Sequence, residues 1–398
     1  MNSKRLSNPT NRKADQPKDT IAIYIPDLMC GGVERVMIDL ANGIKDYDYE
    51  VDLVLSSAEG PFLNQVPAGI NIVDLKCKRV LFSLPKLIKY LRLRQPSIVL
   101  TAKDHVNILA IISTMFSQRT KSIIAIHDMA NCMYYLFNPE TDLRTRTKEK
   151  VIQYMAKILY PKTAAIIAVS QAAAEELSSF YDIDPRRINV VYNPLDFERI
   201  SFLSQQDVDH PWFREGQPPV ILAIGRLEQE KDFATLIRAF AVVGKQIQAR
   251  LIIMGVGSQQ AGLQNLIESL NLQNEAVLWG YEENPYKYIK AAGVVVLSSK
   301  YETLPTVLIE TLYLQTGFVA TKSYGGIHEI IGEPNYPYIV PIGDHIRLAQ
   351  ALIDYLNNRP MPLQIDFEKY KKHHAVAKYL AVFKNSKSEG EISVCESI

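Results

Sequence analysis

Glu302 and Glu310, with seven residues between them, flank Pro305 in the stretch SSKYETLPTVLIETL. Proline suits the first position of a helix, where its missing N–H has no partner to lose. The sequence therefore predicts a helix opening at Pro305, soon after an apolar run at residues 293–297 that reads as a buried parallel strand. Open amides at a helix start attract anions, and in open parallel sheets ligands bind beyond the carboxyl ends of the strands. The two carboxylates are thus placed around a ready anion site. Glu310 has apolar helical neighbours in Val307, Tyr313 and Leu314, so its charge is expected to find a buried partner. Taken alone, the pair would also suit a helix-start carboxylate and a satisfied core ion.

Two cations carry the same signal. The strand pattern VILAIG ends at Gly225, Arg226 follows it, and Lys231 falls just before a helix expected over Phe233–Val243. A lysine at the positive end of a helix dipole is unfavourable unless an anion is present, and two cations at the carboxyl edge of a strand suit a diphosphate. Near the amino terminus Gly31 and Gly32 lie between a strand at residues 21–25 and a helix at 33–44, where glycine lets backbone amides approach a phosphate closely. Glu34 there suits the helix dipole. His127 and Asp128 follow a strand at 122–126, whereas His105 reads as structural. Gly255-Val256-Gly257 after a strand lacks the third glycine of a dinucleotide fingerprint, with Gln260 in its place, and is weak evidence for a nicotinamide enzyme.

Glu302 and Glu310 at this spacing, followed by Gly325, Gly326 and Glu329, resemble the core signature of the GT4 retaining glycosyltransferases, which are GT-B enzymes using nucleotide sugars. GRLEQEKDF and GGVERV resemble two further blocks of that family, in the family's order, so the resemblance runs over nearly all of residues 21–383. It implies that Glu302 contacts the transferred sugar, Glu310 the nucleotide ribose, and Arg226 with Lys231 the donor pyrophosphate. Gly31 and Gly32 would face the diphosphate, His127 the donor sugar, and Thr303 and Leu304 would sit in the turn beside that sugar. Thr303 replaces the family's usual glycine; either the turn is rearranged to negative φ, or the side chain enters the sugar pocket, the alternative favoured here. Asn284-Pro285-Tyr286 resembles a block of members that build capsular, O-antigen or lipid-linked saccharides.

The elements that must position these groups alternate as strands and helices through both halves of the chain, which predicts α/β architecture: two facing Rossmann-like, doubly wound domains with a cleft between them. A chain of 398 residues, 47% of them hydrophobic, has material for two cores. The expected organisation is a disordered tail at 1–20, an acceptor-side domain at 21–199, a linker at 200–219, a nucleotide-sugar domain with a terminal crossover helix at 220–384, and a loose tail at 385–398. A net charge of +1 announces no polyanion partner and nucleic acid is not expected. The four cysteines have neither metal spacing nor a paired framework, in keeping with a reducing cytoplasm. No metal or cofactor is expected, the nucleotide sugar being a co-substrate. Residues 1–20 lack the apolar core of a signal peptide, and the longest near-apolar segment, 106–116, is too short to cross a bilayer.

From Lys76 to Lys103 there is no acidic residue. The segment 82–94 puts Leu84, Leu87, Ile88 and Leu91 on one helical face and Lys86, Lys89 and Arg92 on another. That is either a sheet-packing helix with a solvated basic side or a docking face for anionic lipid head groups, which would hold the protein at the inner face of the plasma membrane. The pattern as a whole supports a glycosyltransferase moving a sugar from a nucleotide diphosphate, a UDP-sugar by preference, to a saccharide or lipid-linked saccharide. A GT-B sugar-nucleotide epimerase and a noncatalytic sugar-nucleotide-binding module are the competing readings.

Overall fold

The computed structural model describes residues 18–29, 31–127, 143–332 and 336–395. Most of the polar amino-terminal segment, together with Asp128, lies outside them.

Seven parallel strands form the first sheet: β1 (Asp19–Ile25), β2 (Tyr49–Leu55), β3 (Asn71–Asp74), β4 (Ile98–Thr101), β5 (Lys121–Ile126), β6 (Ala165–Ala168) and β7 (Ile188–Val190), in the order β3-β2-β1-β4-β5-β6-β7. Central strands such as Ile98–Thr101 are buried along their whole length, which is why they read as continuous apolar runs and not as alternating ones. β1 begins at Asp19, inside the expected tail, because Asp19 and Thr20 pair in register with Tyr49 and Glu50.

The second sheet has β8 (Val220–Ile224), β9 (Arg250–Met254), β10 (Ala276–Gly280), β11 (Val294–Leu297), β13 (Phe318–Thr321) and β15 (Ile339–Val340), ordered β10-β9-β8-β11-β13-β15 and again parallel. A separate two-stranded ladder joins β12 (Tyr301–Glu302) to β14 (Tyr324–Gly325). In both large sheets the order reverses beside the first strand of the set, and helix-bearing loops leave the carboxyl ends of strands on either side of that switch point.

The linker expected at 200–219 opens inside a helix. Residues Phe197–Ser204 form a helix capped by Asp196, which accepts from the Arg199 amide at 3.0 Å, and Phe197 and Ile200 are buried in a core cluster with strand residues of the second sheet. Asn284 ties this helix down by donating to the Leu203 carbonyl and Gln206 Oε1, both at 2.9 Å. The terminal helix, Lys372–Cys395, returns to the first sheet, where Val376, Tyr379 and Phe383 join its core. It extends beyond Asn385, where a loose tail was expected: Ser386 is buried, and Lys387 pairs with Asp19 at the start of β1. No described helix is long and apolar enough to cross a membrane.

Candidate active site

A cleft cavity of about 510 Å³ lies between the carboxyl ends of the two sheets, and Gly31, Gly32, His127, Arg226, Lys231, Glu302, Thr303 and Leu304 all line it. Two helix starts open onto it. Gly31 caps the helix Gly32–Lys45 from the first domain, and Pro305 precedes the helix Thr306–Tyr313 from the second; neither supplies a side-chain cap. Pro305 thus stands one residue before the helix and not at its first position. The positive ends of two helix dipoles converge on one space, a field suited to an anion.

Lys231 ends the short turn Gln229–Lys231 just before the helix Phe233–Val243. Its Nζ donates to Glu302 Oε1 at 2.6 Å, and Ser299 Oγ donates to the same oxygen at 2.7 Å. The two charged side chains are 19% and 14% exposed, so the pair is poorly solvated and each charge depends on the other. Arg226 reaches the cavity from the loop after β8, with its Nη2 3.0 Å from the buried Glu230. Gly255 lets the β9 loop close on this one: a Cβ there would stand 1.8 Å from the Gly225 carbonyl oxygen, and its φ is +146°.

His127 follows β5 and is buried at the first-domain wall. Glu34 does more than complement a helix dipole: it is buried and ion-paired with Lys103 across that wall. Thr303 is buried and lines the cavity, but it sits outside the left-handed region, so the turn takes the rearranged form that the sequence reading did not favour.

Glu310 lies one step further along, in an adjoining cavity of about 420 Å³ that shares Gly31, Gly32, Arg226 and Val307 with the first. Among the described residues its carboxylate shows no hydrogen bond or ion pair, where the sequence reading expected a buried partner. It faces Asp39 and Arg35, both on the first domain's opening helix, while Arg199 and Tyr286 line the same space. Burial pushes the Glu310 carboxyl up to about 7, with the Asp39 charge adding to the rise and Arg35 opposing it. Burial likewise raises Asp39 to about 6 against the pull of Arg35 and Arg199. Arg35, Asp39 and Arg199 escaped the sequence reading because polar positions on an amphipathic helix look like a solvated face. Among the described residues no group of acids, histidines and cysteines has the arrangement of a metal site.

Two adjoining family models match the chain: glycosyltransferase family 4 over residues 30–199 and glycosyl transferases group 1 over residues 205–374. The chain belongs to glycosyltransferase family 4. It is 27% identical over 347 residues to an N-acetylgalactosamine-N,N'-diacetylbacillosaminyl-diphospho-undecaprenol 4-alpha-N-acetylgalactosaminyltransferase of Campylobacter jejuni, covering 83% of this chain and 88% of that protein. A second C. jejuni enzyme, an alpha-1,4-N-acetyl-D-galactosaminyltransferase acting on a diNAcBac-PP-undecaprenol-linked disaccharide, is 25% identical across 85% of this chain and 89% of its own length. HepE of Anabaena, solved in complex with UDP-glucose, superposes with a TM-score of 0.68 over 95% of this chain and 99% of that one at 18% identity, which places the fold as GT-B. This family 4 member is therefore a glycosyltransferase.

Proposed function

We propose that the cleft binds a UDP-sugar and transfers its sugar, with retention of anomeric configuration, to a saccharide carried on a lipid diphosphate. The observation that carries this reading is the convergence of Lys231, Arg226 and two uncapped helix starts on one cavity beside Glu302. A leaving nucleotide diphosphate develops negative charge, and preorganised cations and amides stabilise it at the moment of bond cleavage. The protein's own cations do this work, with no resident metal ion required. Glu302 neutralises Lys231 across 2.6 Å; a donor diphosphate would take Lys231, and Glu302 would turn to the sugar hydroxyls. Glu310 receives the ribose hydroxyls, its raised pKa allowing it to donate as well as accept near neutral pH. His127 borders the sugar from the opposite wall.

The two C. jejuni relatives act on undecaprenol-linked saccharides by name, which supports a lipid-linked acceptor here. Incubation with UDP-hexoses, UDP-N-acetylhexosamines and short saccharide diphosphate lipids, read by mass spectrometry and by the anomeric proton coupling of the product, tests the assignment. Acceptor-dependent UDP release with an α-linked product is expected from an α-linked donor. Sugar-nucleotide turnover without acceptor would instead favour the epimerase reading, and nucleotide binding without turnover the noncatalytic one.

The basic stretch gives this acceptor a route to the site. Leu81 and Phe82, 69% and 63% exposed, project just before the helix Leu84–Arg94, beside the exposed Lys78 and Arg79. Leu87 and Leu91 on the opposite face are buried against the first sheet, so the helix serves both packing and docking. Lys86 and Arg94 are committed elsewhere, to backbone carbonyls of the preceding loop and to Asp52 with Glu50. Arg92 is likewise bonded to the Phe116 carbonyl, which leaves Lys76, Lys78, Arg79 and Lys89 as outward cations. The protein is expected to sediment with anionic and not with neutral liposomes, and salt should weaken the binding, since each surface cation contributes about 1 kcal/mol through a screened field. A combined Lys78→Glu and Arg79→Glu variant should lose that binding while remaining folded; equal recovery with both liposome types would rule the docking face out.

A further inference from the structure

We infer that Glu329 is a positioning residue, which sets the width of the cleft by capping a helix of the opposite domain. Glu329 lies on the short helix Ile327–Ile331 of the second domain. Its Oε2 accepts from the Gln171 amide at 2.9 Å and its Oε1 from the Ala172 amide at 2.7 Å. Those amides open the first-domain helix Gln171–Tyr181, whose own cap, Ser170, takes the amide of Ala173 at 3.1 Å. Three successive amides of one helix start are therefore satisfied, two of them by a carboxylate from across the cleft. Such bonds are charge-assisted and aligned with the helix dipole. Tyr192 adds a third bond, donating from its hydroxyl to Oε2 at 3.1 Å; burial, with the Glu329 charge beside it, pushes the phenol up to about 12 and keeps it a donor. Lys369, which lies over the Tyr192 and Tyr370 rings, donates to the Glu329 carbonyl at 3.2 Å and holds its backbone.

This clasp is mechanically linked to the reacting groups on both sides. On the second domain, the Gly326 amide donates to the Glu302 carbonyl at 2.9 Å, and Glu302 pairs with Gly325 in the β12–β14 ladder. A Cβ at Gly326 would come within 2.5 Å of the Thr303 carbonyl oxygen and 3.4 Å of Ser170 Cβ, so the two domains touch at the base of the Glu302 turn. On the first domain, the capped helix follows β6, the neighbour of β5, the strand that His127 follows. Displacing Glu329 thus moves Glu302 and Lys231 relative to His127, Gly31 and Gly32, and leaves the groups within each domain where they are. Glu329 lines neither cleft cavity, which separates this role from contact with the donor.

The kinetic part of the test rests on the glycosyl-transfer reading, whereas its scattering part needs no turnover. In Glu329→Ala, kcat at saturating donor and acceptor should fall about 10-fold to 100-fold, the scale of a small misplacement of reacting groups. UDP affinity by calorimetry should fall much less than kcat, because Arg226, Lys231 and Glu310 all lie on the second domain and only the helix start at Gly31 and Gly32 meets the diphosphate from the first. Small-angle X-ray scattering should show a larger radius of gyration for the UDP-bound variant than for UDP-bound wild type. Glu329→Gln, which keeps one acceptor oxygen, should fall between the two on both readouts, and Tyr192→Phe should shift them slightly in the same direction. These milder variants carry the test if the alanine variant does not fold. Unchanged scattering in every variant would overturn the proposal even if turnover fell, and a loss of UDP affinity equal to the loss of kcat would place Glu329 in the ligand site and overturn it too.

Discussion

Lys231→Ala should lower sugar transfer about 100-fold or more, as removal of one preorganised charge donor commonly does, with the folded structure retained. The size of the effect follows from where the ammonium sits. It is four-fifths buried, held by Glu302 at 2.6 Å, and its backbone carbonyl accepts from Ser298 Oγ at 2.7 Å, so its position before the helix Phe233–Val243 is fixed. Removing it does two things of the same sign. The diphosphate loses a cation that needs no reorganisation to meet it, and Glu302 is left as an uncompensated carboxylate at the place where further negative charge must enter. Both nucleotide affinity and kcat should therefore fall. Arg226→Ala should be milder, because that side chain is 61% exposed, against 19% for Lys231. Steady-state kinetics of both variants, with thermal melting as the control for folding, checks the ranking; near-normal transfer in Lys231→Ala would remove the diphosphate assignment.

Glu302→Ala should produce an equal or larger loss of transfer with the opposite effect on nucleotide binding. The carboxylate competes with the diphosphate for Lys231, so its removal frees the ammonium and should leave UDP affinity unchanged or improved. Transfer should still fall about 100-fold or more, since Glu302 is the group proposed to orient the sugar, and an interaction realised in the transition state shows itself in kcat. Pre-steady-state measurements that separate donor binding from transfer would distinguish the two variants. A parallel loss of affinity and rate in both would mean that Lys231 and Glu302 act only as a structural ion pair.

Much of this arrangement was legible because the chemistry depends on local sequence. β8 and β11 are continuous apolar runs bounded by glycine or serine, and the groups that follow them, Arg226, Lys231 and Glu302, are placed by the strand end itself. The same logic put Gly31, Gly32 and His127 at the cleft. What escaped depends on contacts between distant segments. Lys103 meets Glu34 because β1 and β4 lie side by side in the first sheet, and Glu329 meets Gln171 and Ala172 because the two domains face one another. Asp39 and Arg35 occupy helix positions that read as a solvated face until the second domain covers them. β12 and β14 have two residues each, too few to show a period, yet they fix the Glu302 turn. The helix Phe197–Ser204 hid in a polar segment read as a linker, although Asp196 is a good cap and Phe197 and Ile200 have helical spacing. The terminal helix outran its apolar stripe beyond Asn385, where small and polar residues gave no amphipathic signal.

Calorimetric titration of UDP into wild-type protein, Lys231→Ala and Glu302→Ala tests the central claim most directly, that the charged cleft is built to hold the diphosphate of a nucleotide sugar. The prediction is saturable binding at one site per chain in the wild type, weakened about 10-fold or more in Lys231→Ala, a change of about 1.4 kcal/mol or more, and preserved in Glu302→Ala. Equal affinity in wild type and Lys231→Ala, or the absence of binding by UDP and by GDP and ADP tested in its place, would contradict it.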